Sequence, residues 1–138
     1  IGFARAGALV YAVEQRPELL GIAQRNASTF RVNEHIRFQV GDTMNHLPEA
    51  TDVCFVDPPW GLEWDRIRCD LSSFPLAQQL WTRFQQTPSW TSFWLKVPSS
   101  FFPASLDVSA QTTAVFGVAP GDRQRIKFLL VKVRRSDL

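Results

Sequence analysis

Residues 53–61 read VCFVDPPWG. Val53-Cys54-Phe55-Val56 has the composition of a buried strand, and Asp57-Pro58-Pro59-Trp60-Gly61 stops it abruptly. Proline has a fixed φ and no N–H, so the backbone there cannot continue a ladder and its carbonyls are left to point outward. Asp57 adds a carboxylate that accepts hydrogen bonds. Trp60 offers a π-face on which a base can stack, an interaction of about 1–3 kcal/mol. An acid, two prolines and an indole at a strand end make a poor ordinary turn. They make a good grip for a flat ring that carries an amino group.

Working outward, residues 1–6 read as a short helix ending at Gly7, a common residue just past a helix C-terminus. Residues 8–13 (ALVYAV) form an apolar strand that runs into Glu14. Pro17 opens a helix that continues to about Phe30 with apolar residues near the helical period. Residues 36–40 are a second strand ending at Gly41-Asp42, and a short helical turn follows at 44–47. Residues 52–56 are the third strand, 62–71 a loop, 74–85 a helix and 92–97 (SFWLKV) the fourth strand. Residues 112–118 (TTAVFGV) and 126–133 (IKFLLVKV) predict an antiparallel pair with Pro120-Gly121-Asp122 as the turn. Strand, helix, strand, helix, strand and a closing hairpin predict an α/β fold, a doubly wound, mostly parallel sheet with a C-terminal antiparallel hairpin. The early strands are continuous apolar runs, as parallel strands buried on both faces should be. Ligands of such sheets sit beyond the carboxyl ends of the strands. The first three strands end in Glu14, Asp42 and Asp57, which predicts three carboxylates along one crevice.

The length of 138 residues predicts one domain, long enough to bury a core. A net charge of +2 does not announce a nucleic-acid binder. The basic residues gather late, at Arg123, Arg125, Lys127, Lys132, Arg134 and Arg135. Such charge either blocks pairing at a terminal strand edge or faces RNA. Cys54 and Cys69 have no metal spacing and no disulfide framework, which predicts a reducing, cytoplasmic setting. Cys54 reads as a small buried hydrophobe. His35 and His46 lack partners at ligand spacing and read as structural, so no metal is expected. No apolar run reaches membrane length and no leader pattern is present. The start at Ile1, inside a helical pattern without a cap, suggests a fragment that has lost its first strand.

A strand ending in Glu, a strand ending in Gly-Asp and a strand ending in Asp-Pro-Pro-Trp together resemble class I S-adenosylmethionine-dependent methyltransferases. The motif resembles the one that marks enzymes methylating exocyclic or planar nitrogens. The nearest subgroup is the RNA cap guanine-N2 methyltransferases of the trimethylguanosine synthase type. It is similar to this chain in the Pro-Pro-Trp-Gly run at 58–61, in EQRPELLGIAQRNASTFRVNEHIRFQVGD at 14–42 and in TTAVFG at 112–117. The resemblance covers nearly the whole chain. It implies a single methyltransferase domain over 1–138, S-adenosylmethionine as cofactor and an RNA guanine N2 as target. Three departures stand out. The glycine-rich first motif is missing, Leu62 replaces a second glycine, and Asp57 replaces a serine common in the cap enzymes. The last moves the motif toward adenine-N6 enzymes on RNA or DNA and toward the bacterial ribosomal-RNA guanine-N2 type. A non-catalytic nucleic-acid-binding fragment of the same fold is the remaining alternative.

The resemblance also assigns roles. Glu14, with the adjoining Gln15, would meet the cofactor ribose, and Asp42 with Thr43 its adenine. Asp57 and the carbonyl of Pro58 would share the two hydrogens of the target amine, with Pro59 fixing the corner and Trp60 stacking on the base. Asp57 would also border the cofactor. Plainer readings are a helix cap for Glu14, a Gly-Asp turn for Asp42 and a core position for Trp60. Trp81 and Trp94 read as core. Trp64 and Asp65 could form a lid, Phe101-Phe102-Pro103 pack, and Lys96 either faces a substrate phosphate or snorkels at a strand end.

Overall fold

The computed structural model describes residues 1–60, 65–119 and 121–138. Gly61, Leu62, Trp64 and Pro120 therefore lie outside the described residues, and with them the lid tryptophan and the proline of the hairpin turn. The chain divides into two compact units, residues 1–48 and 49–138.

The first unit contains α1 (Gly2–Arg5), β1 (Val10–Glu14), α2 (Pro17–Thr29) and β2 (Ile36–Val40). Pro17 occupies the first turn of α2, where its missing N–H is not needed. Leu20 and Ala27, two helical turns apart, are the buried residues of that helix. β1 and β2 run parallel, in register from Val10↔Ile36 to Glu14↔Val40. Ala4, Ala27, Val32 and Ile36 form the core, with Val10, Ala12 and Phe38 packed against it. Gly7 has φ +89, so β1 begins at Val10 rather than residue 8, and Leu9 is left exposed.

The second unit contains β3 (Thr51–Val56), α3 (Pro75–Gln86), β4 (Trp90–Val97), β5 (Gln111–Phe116) and β6 (Ile126–Arg134). Its strand order is β3-β4-β6-β5. β3 and β4 are parallel, while β6 pairs antiparallel with both β4 and β5. On α3, Ala77, Leu80, Trp81 and Phe84 are buried at helical spacing. Phe93 of β4 meets the Trp81 ring at 5.4 Å and the Phe84 ring at 5.7 Å. Burying each of these large side chains contributes about 1.5–3 kcal/mol, and this is what fixes α3 on the sheet.

Three expectations need correction. The pairing is mixed, two parallel and two antiparallel ladders, rather than mostly parallel. The link from β4 to β5 carries only a 3-10 turn (Pro103–Leu106), and β6 lies between the two strands, paired with β5 as the sequence predicted. The early strands are also not buried on both faces: Tyr11 is 38%, Val40 41% and Phe55 42% exposed. Trp81 is core as expected, but Trp94 is half-buried, with the Lys132 ammonium 4.6 Å from its ring.

Among the late basic residues, Lys127, Lys132 and Arg135 are held by contacts within the second unit. Lys127 pairs with Asp122 at 2.7 Å, Lys132 lies on Trp94, and Arg135 closes the end of α3. The Arg135 guanidinium donates to the carbonyls of Trp90 (3.2 Å), Gln85 (3.1 Å) and Thr87 (2.5 Å), and to that of Phe84. It also lies 4.4 Å from the Phe84 ring. Helix-terminal carbonyls have no partner within the helix, and a cation there also opposes the helix dipole. Arg135→Ala is expected to lower stability by about 1.5–3 kcal/mol, as the loss of charge-assisted bonds to exposed and part-buried carbonyls requires. Arg135→Lys recovers only part of that, because a point ammonium cannot span the four acceptors. Urea melts of the three proteins measure both effects.

Candidate functional site

In the first unit, the carboxyl ends of β1 and β2 are tied together. The Gly41 N–H donates to the Glu14 carbonyl at 3.0 Å, which brings Glu14 and Asp42 to one end of one parallel pair. Glu14 is half-buried, and its Oε1 accepts from the Arg16 N–H at 2.8 Å. Arg16 Nε lies 4.0 Å from the same oxygen. The Glu14 side chain thus steadies the residue before α2, but it is not the helix cap of its plainer reading, since α2 has no side-chain cap. Gln15 is exposed beside it. Asp42 caps the 3-10 turn Thr43–Asn45, with Oδ1 accepting from the Met44 N–H at 2.8 Å. Asp42 is exposed and Thr43 half-buried. Each carboxylate therefore spends one oxygen on the backbone and presents a second acceptor.

Gly41 is required here for two reasons. Its φ is +149, a region that side chains rarely adopt, and a Cβ would collide with the imidazole of His46. His46 Nδ1 lies 2.9 Å from the Asp42 carbonyl oxygen, so the ring is fixed over the glycine. This gives His46 the structural role expected of it. His35 is exposed in the 3-10 turn Asn33–His35. Among the described residues, no three His, Cys, Asp or Glu side chains are grouped so as to hold a metal.

In the second unit, Val56 ends β3 and is buried, Asp57 is exposed, Pro58 buried, Pro59 exposed and Trp60 half-buried. The corner is thus anchored by Pro58 and open at Asp57 and Pro59. Asp57 Oδ2 accepts from Lys96 Nζ at 2.7 Å. The two side chains are 46% and 29% exposed, so the pair is reachable from solvent. Lys96 also sits 5.1 Å from the centre of the Phe128 ring. The sequence reading left Lys96 between a phosphate contact and a snorkelling lysine. The structure makes it the partner of Asp57. The missing signal was register: Val56 is opposite Leu95, so the next residues along, Asp57 and Lys96, come side by side.

The neighbouring segment is bound to the loop after β4. Asp65 folds back, its Oδ1 accepting from the N–H groups of Ile67 (2.7 Å) and Arg68 (3.1 Å). These two bonds hold its carboxyl below the usual range. Ser100 Oγ donates to the Asp65 carbonyl at 2.8 Å, and Cys69 bridges in parallel with Phe101. Phe101 is buried against Phe74, as expected, whereas Phe102 is 41% exposed under the Arg68 guanidinium at 4.1 Å. The Asp65 carboxylate is thus part of a turn. Cys54 is half-buried rather than buried as the sequence suggests, and desolvation pushes its thiol up to about 12. It is a neutral thiol at physiological pH and supplies no nucleophile. Burial also raises the Cys69 thiol, against a smaller lowering by its hydrogen bond with Ser100.

Comparison with known proteins identifies the family and the fold. The sequence profile described as RNA cap guanine-N2 methyltransferase matches residues 1–76, more than half of the 138-residue chain. The chain belongs to that family. No curated protein sequence matches it. Among solved structures, a METTL16 MTase domain superposes with TM-score 0.56 at 12% identity, over 90% of this chain and 49% of that one. The delta-N METTL16 MTase domain gives TM-score 0.56 at 13% identity, over 88% of this chain and 60% of that one. A SAM-dependent O-methyltransferase from Thermotoga maritima gives TM-score 0.51 at 14% identity, over 94% of this chain and 51% of that one. The fold is therefore that of class I methyltransferases, and the chain spans about half the length of the structures it resembles.

The glycine geometry gives a paired prediction. Gly41→Ala is expected to destabilise the protein by about 1–3 kcal/mol, through positive φ and the clash with His46. Gly21→Ala, inside α2 with only the Arg25 side-chain tip within 3.7 Å, is expected to stabilise it by about 0.5–1 kcal/mol. Thermal melts of the two variants should move in opposite directions.

Proposed function

We propose that the protein is an S-adenosylmethionine-dependent RNA methyltransferase that modifies the exocyclic amine of a nucleobase, with guanine N2 as the favoured target. The observation that carries this reading is the Asp57-Pro58-Pro59-Trp60 corner, open at the carboxyl end of β3, in a chain of the cap guanine-N2 family. On this reading residues 1–138 act as one methyltransferase domain.

The carboxylates present suit the cofactor. Glu14 offers an acceptor to the ribose hydroxyls, with Gln15 beside it, and Asp42 with Thr43 offers one to the adenine amino group. When bound, S-adenosylmethionine supplies an electrophilic methyl group. The remaining work falls to the proline corner. An aromatic amine delocalises its lone pair into the ring and is a weak nucleophile. Asp57 Oδ1 and the Pro58 carbonyl each accept one of its two hydrogens, which favours a tetrahedral nitrogen with its lone pair directed outward. Acceptors fixed before the reaction need no reorganisation, so positioning and charge placement account for most of the acceleration. Asp57 is also the nearest acceptor for the proton that leaves the substituted nitrogen. Pro59 restricts the backbone between these groups, and Trp60 stacks on the base.

The acid at position 57, in place of the serine common in cap enzymes, favours adenine N6 as the second target. Transfer of a labelled methyl group to RNA by the full-length protein, followed by nucleoside chromatography, separates N2-methylguanosine from N6-methyladenosine. No labelled nucleoside from RNA or DNA, together with no calorimetric binding of S-adenosylmethionine, would favour a non-catalytic module instead.

Two variants test the roles within the corner. Asp57→Ala is expected to abolish turnover while calorimetry finds cofactor affinity changed by no more than a few fold. Trp60→Ala is expected to weaken RNA affinity by about 1–3 kcal/mol in a binding titration, the worth of one stacked base. Loss of the folded state in that variant would instead assign Trp60 to the core.

A further inference from the structure

We propose that Lys96 is a positioning residue for the reaction, acting through Asp57. Its ammonium holds Asp57 Oδ2, so that Oδ1 is the oxygen offered to the target amine. This inference rests on the assignment of Asp57 made above.

Asp57 follows the last residue of β3, Lys96 is the penultimate residue of β4, and the register sets them side by side. The ammonium lies 2.7 Å from Oδ2. It also lies over the ring of Phe128 in β6, 5.1 Å from the ring centre. The lysine is therefore braced by a neighbouring strand and does not swing freely in solvent. Asp57, by contrast, sits on an exposed corner, and its side chain is 46% exposed. An exposed aspartate with no fixed partner samples several rotamers. A carboxylate that must meet one N–H of a flat amine has little tolerance for that, since a misplacement of about 1 Å can reduce rate by about 10²-fold.

The pair also divides the work of the two oxygens. A carboxylate is acceptor-only when ionised, and an ammonium is donor-only. With Oδ2 satisfied by Lys96, an incoming amine finds one acceptor, Oδ1, on a fixed plane. A direct contact of Lys96 with a substrate phosphate would require it to leave this position. The two roles therefore predict different kinetics.

The test is a double-mutant cycle in the full-length protein, read as methyl transfer to RNA. Lys96→Met is expected to lower kcat by about 10–100-fold and to change KM by less than about threefold, as loss of a positioning interaction should. Lys96→Arg, which keeps a cation at the same oxygen, is expected to stay within about fivefold of the unaltered enzyme. Asp57→Asn retains one carbonyl acceptor and so some turnover. In that background Lys96→Met is expected to cost less than about threefold further, because residues acting as a unit are non-additive. Equal losses in both backgrounds, or a loss confined to KM, would overturn the proposal and make Lys96 a contact to the RNA. Loss of kcat in Lys96→Arg matching that in Lys96→Met would overturn it as well. Absence of methyl transfer by the unaltered protein would sink the assignment of Asp57 and this proposal together, a result distinct from the others. Melting curves of each variant separate these outcomes from simple unfolding.

Discussion

Pro58 and Pro59 have no N–H to donate, so the ladder between β3 and β4 has to stop at Val56↔Leu95. The placement of Asp57 beside Lys96 follows from that stop. The residue before a proline is driven toward extended backbone, which keeps Asp57 in line with the strand instead of turning it away. Side chains alternate along a strand, so Asp57 falls on the face of Phe55, opposite that of the buried Val56. Lys96 falls on the face of Trp94 in β4, opposite that of the buried Leu95 and Val97. The close approach of Asp57 and Lys96 needs no further device.

A corner of this kind is only as steady as the sheet behind it. That sheet is fixed by an aromatic cluster on one side of β4, where Trp81, Phe84 and Phe93 lie within 5.4–5.7 Å of one another. β6 closes the other edge of β4, and its Leu129, Val131 and Val133 are all buried. Arg135, just beyond β6, ties the end of α3 and the turn into β4 to the same strand. The strand that carries Lys96 is thus clamped by a helix, by a neighbouring strand and by a guanidinium.

Much of this was legible in the sequence. The alternation of strands and helices, the closing hairpin, the start of α2 at Pro17 and the strand that ends at Val56 all follow from local chemistry. What was not legible is non-local. The insertion of β6 between β4 and β5 depends on the energy of pairing with β4, and residues 126–134 fit either neighbour by composition alone. The cation over Trp94 required knowing that Lys132 lies across from it. The partner of Asp57 required the β3–β4 register, since 39 positions separate the two residues. At Glu14 and Asp42 the sequence offered two readings each. The plain one holds at Asp42, which caps a 3-10 turn, whereas the Glu14 carboxylate bonds the N–H of Arg16 and α2 has no side-chain cap; both residues sit at the carboxyl end of a parallel pair.

The Asp57–Lys96 pair contributes little to folding. Its members are 46% and 29% exposed, and ion pairs of that kind contribute about 0–1 kcal/mol once side-chain entropy and solvent screening are counted. Burial of Phe93 alone contributes more, at about 1.5–3 kcal/mol, and the strands would stay paired without the salt bridge. What an exposed ion pair does change is the distribution of orientations of a short side chain, and the shorter partner here is Asp57. Stability places the lysine: β4 and Phe128 hold its stem and its ammonium regardless of the acid. The acid then orients on a charge that the fold has already fixed. The direction of dependence therefore runs from the core to Phe128 and Lys96, and from Lys96 to Asp57 and the open side of the proline corner.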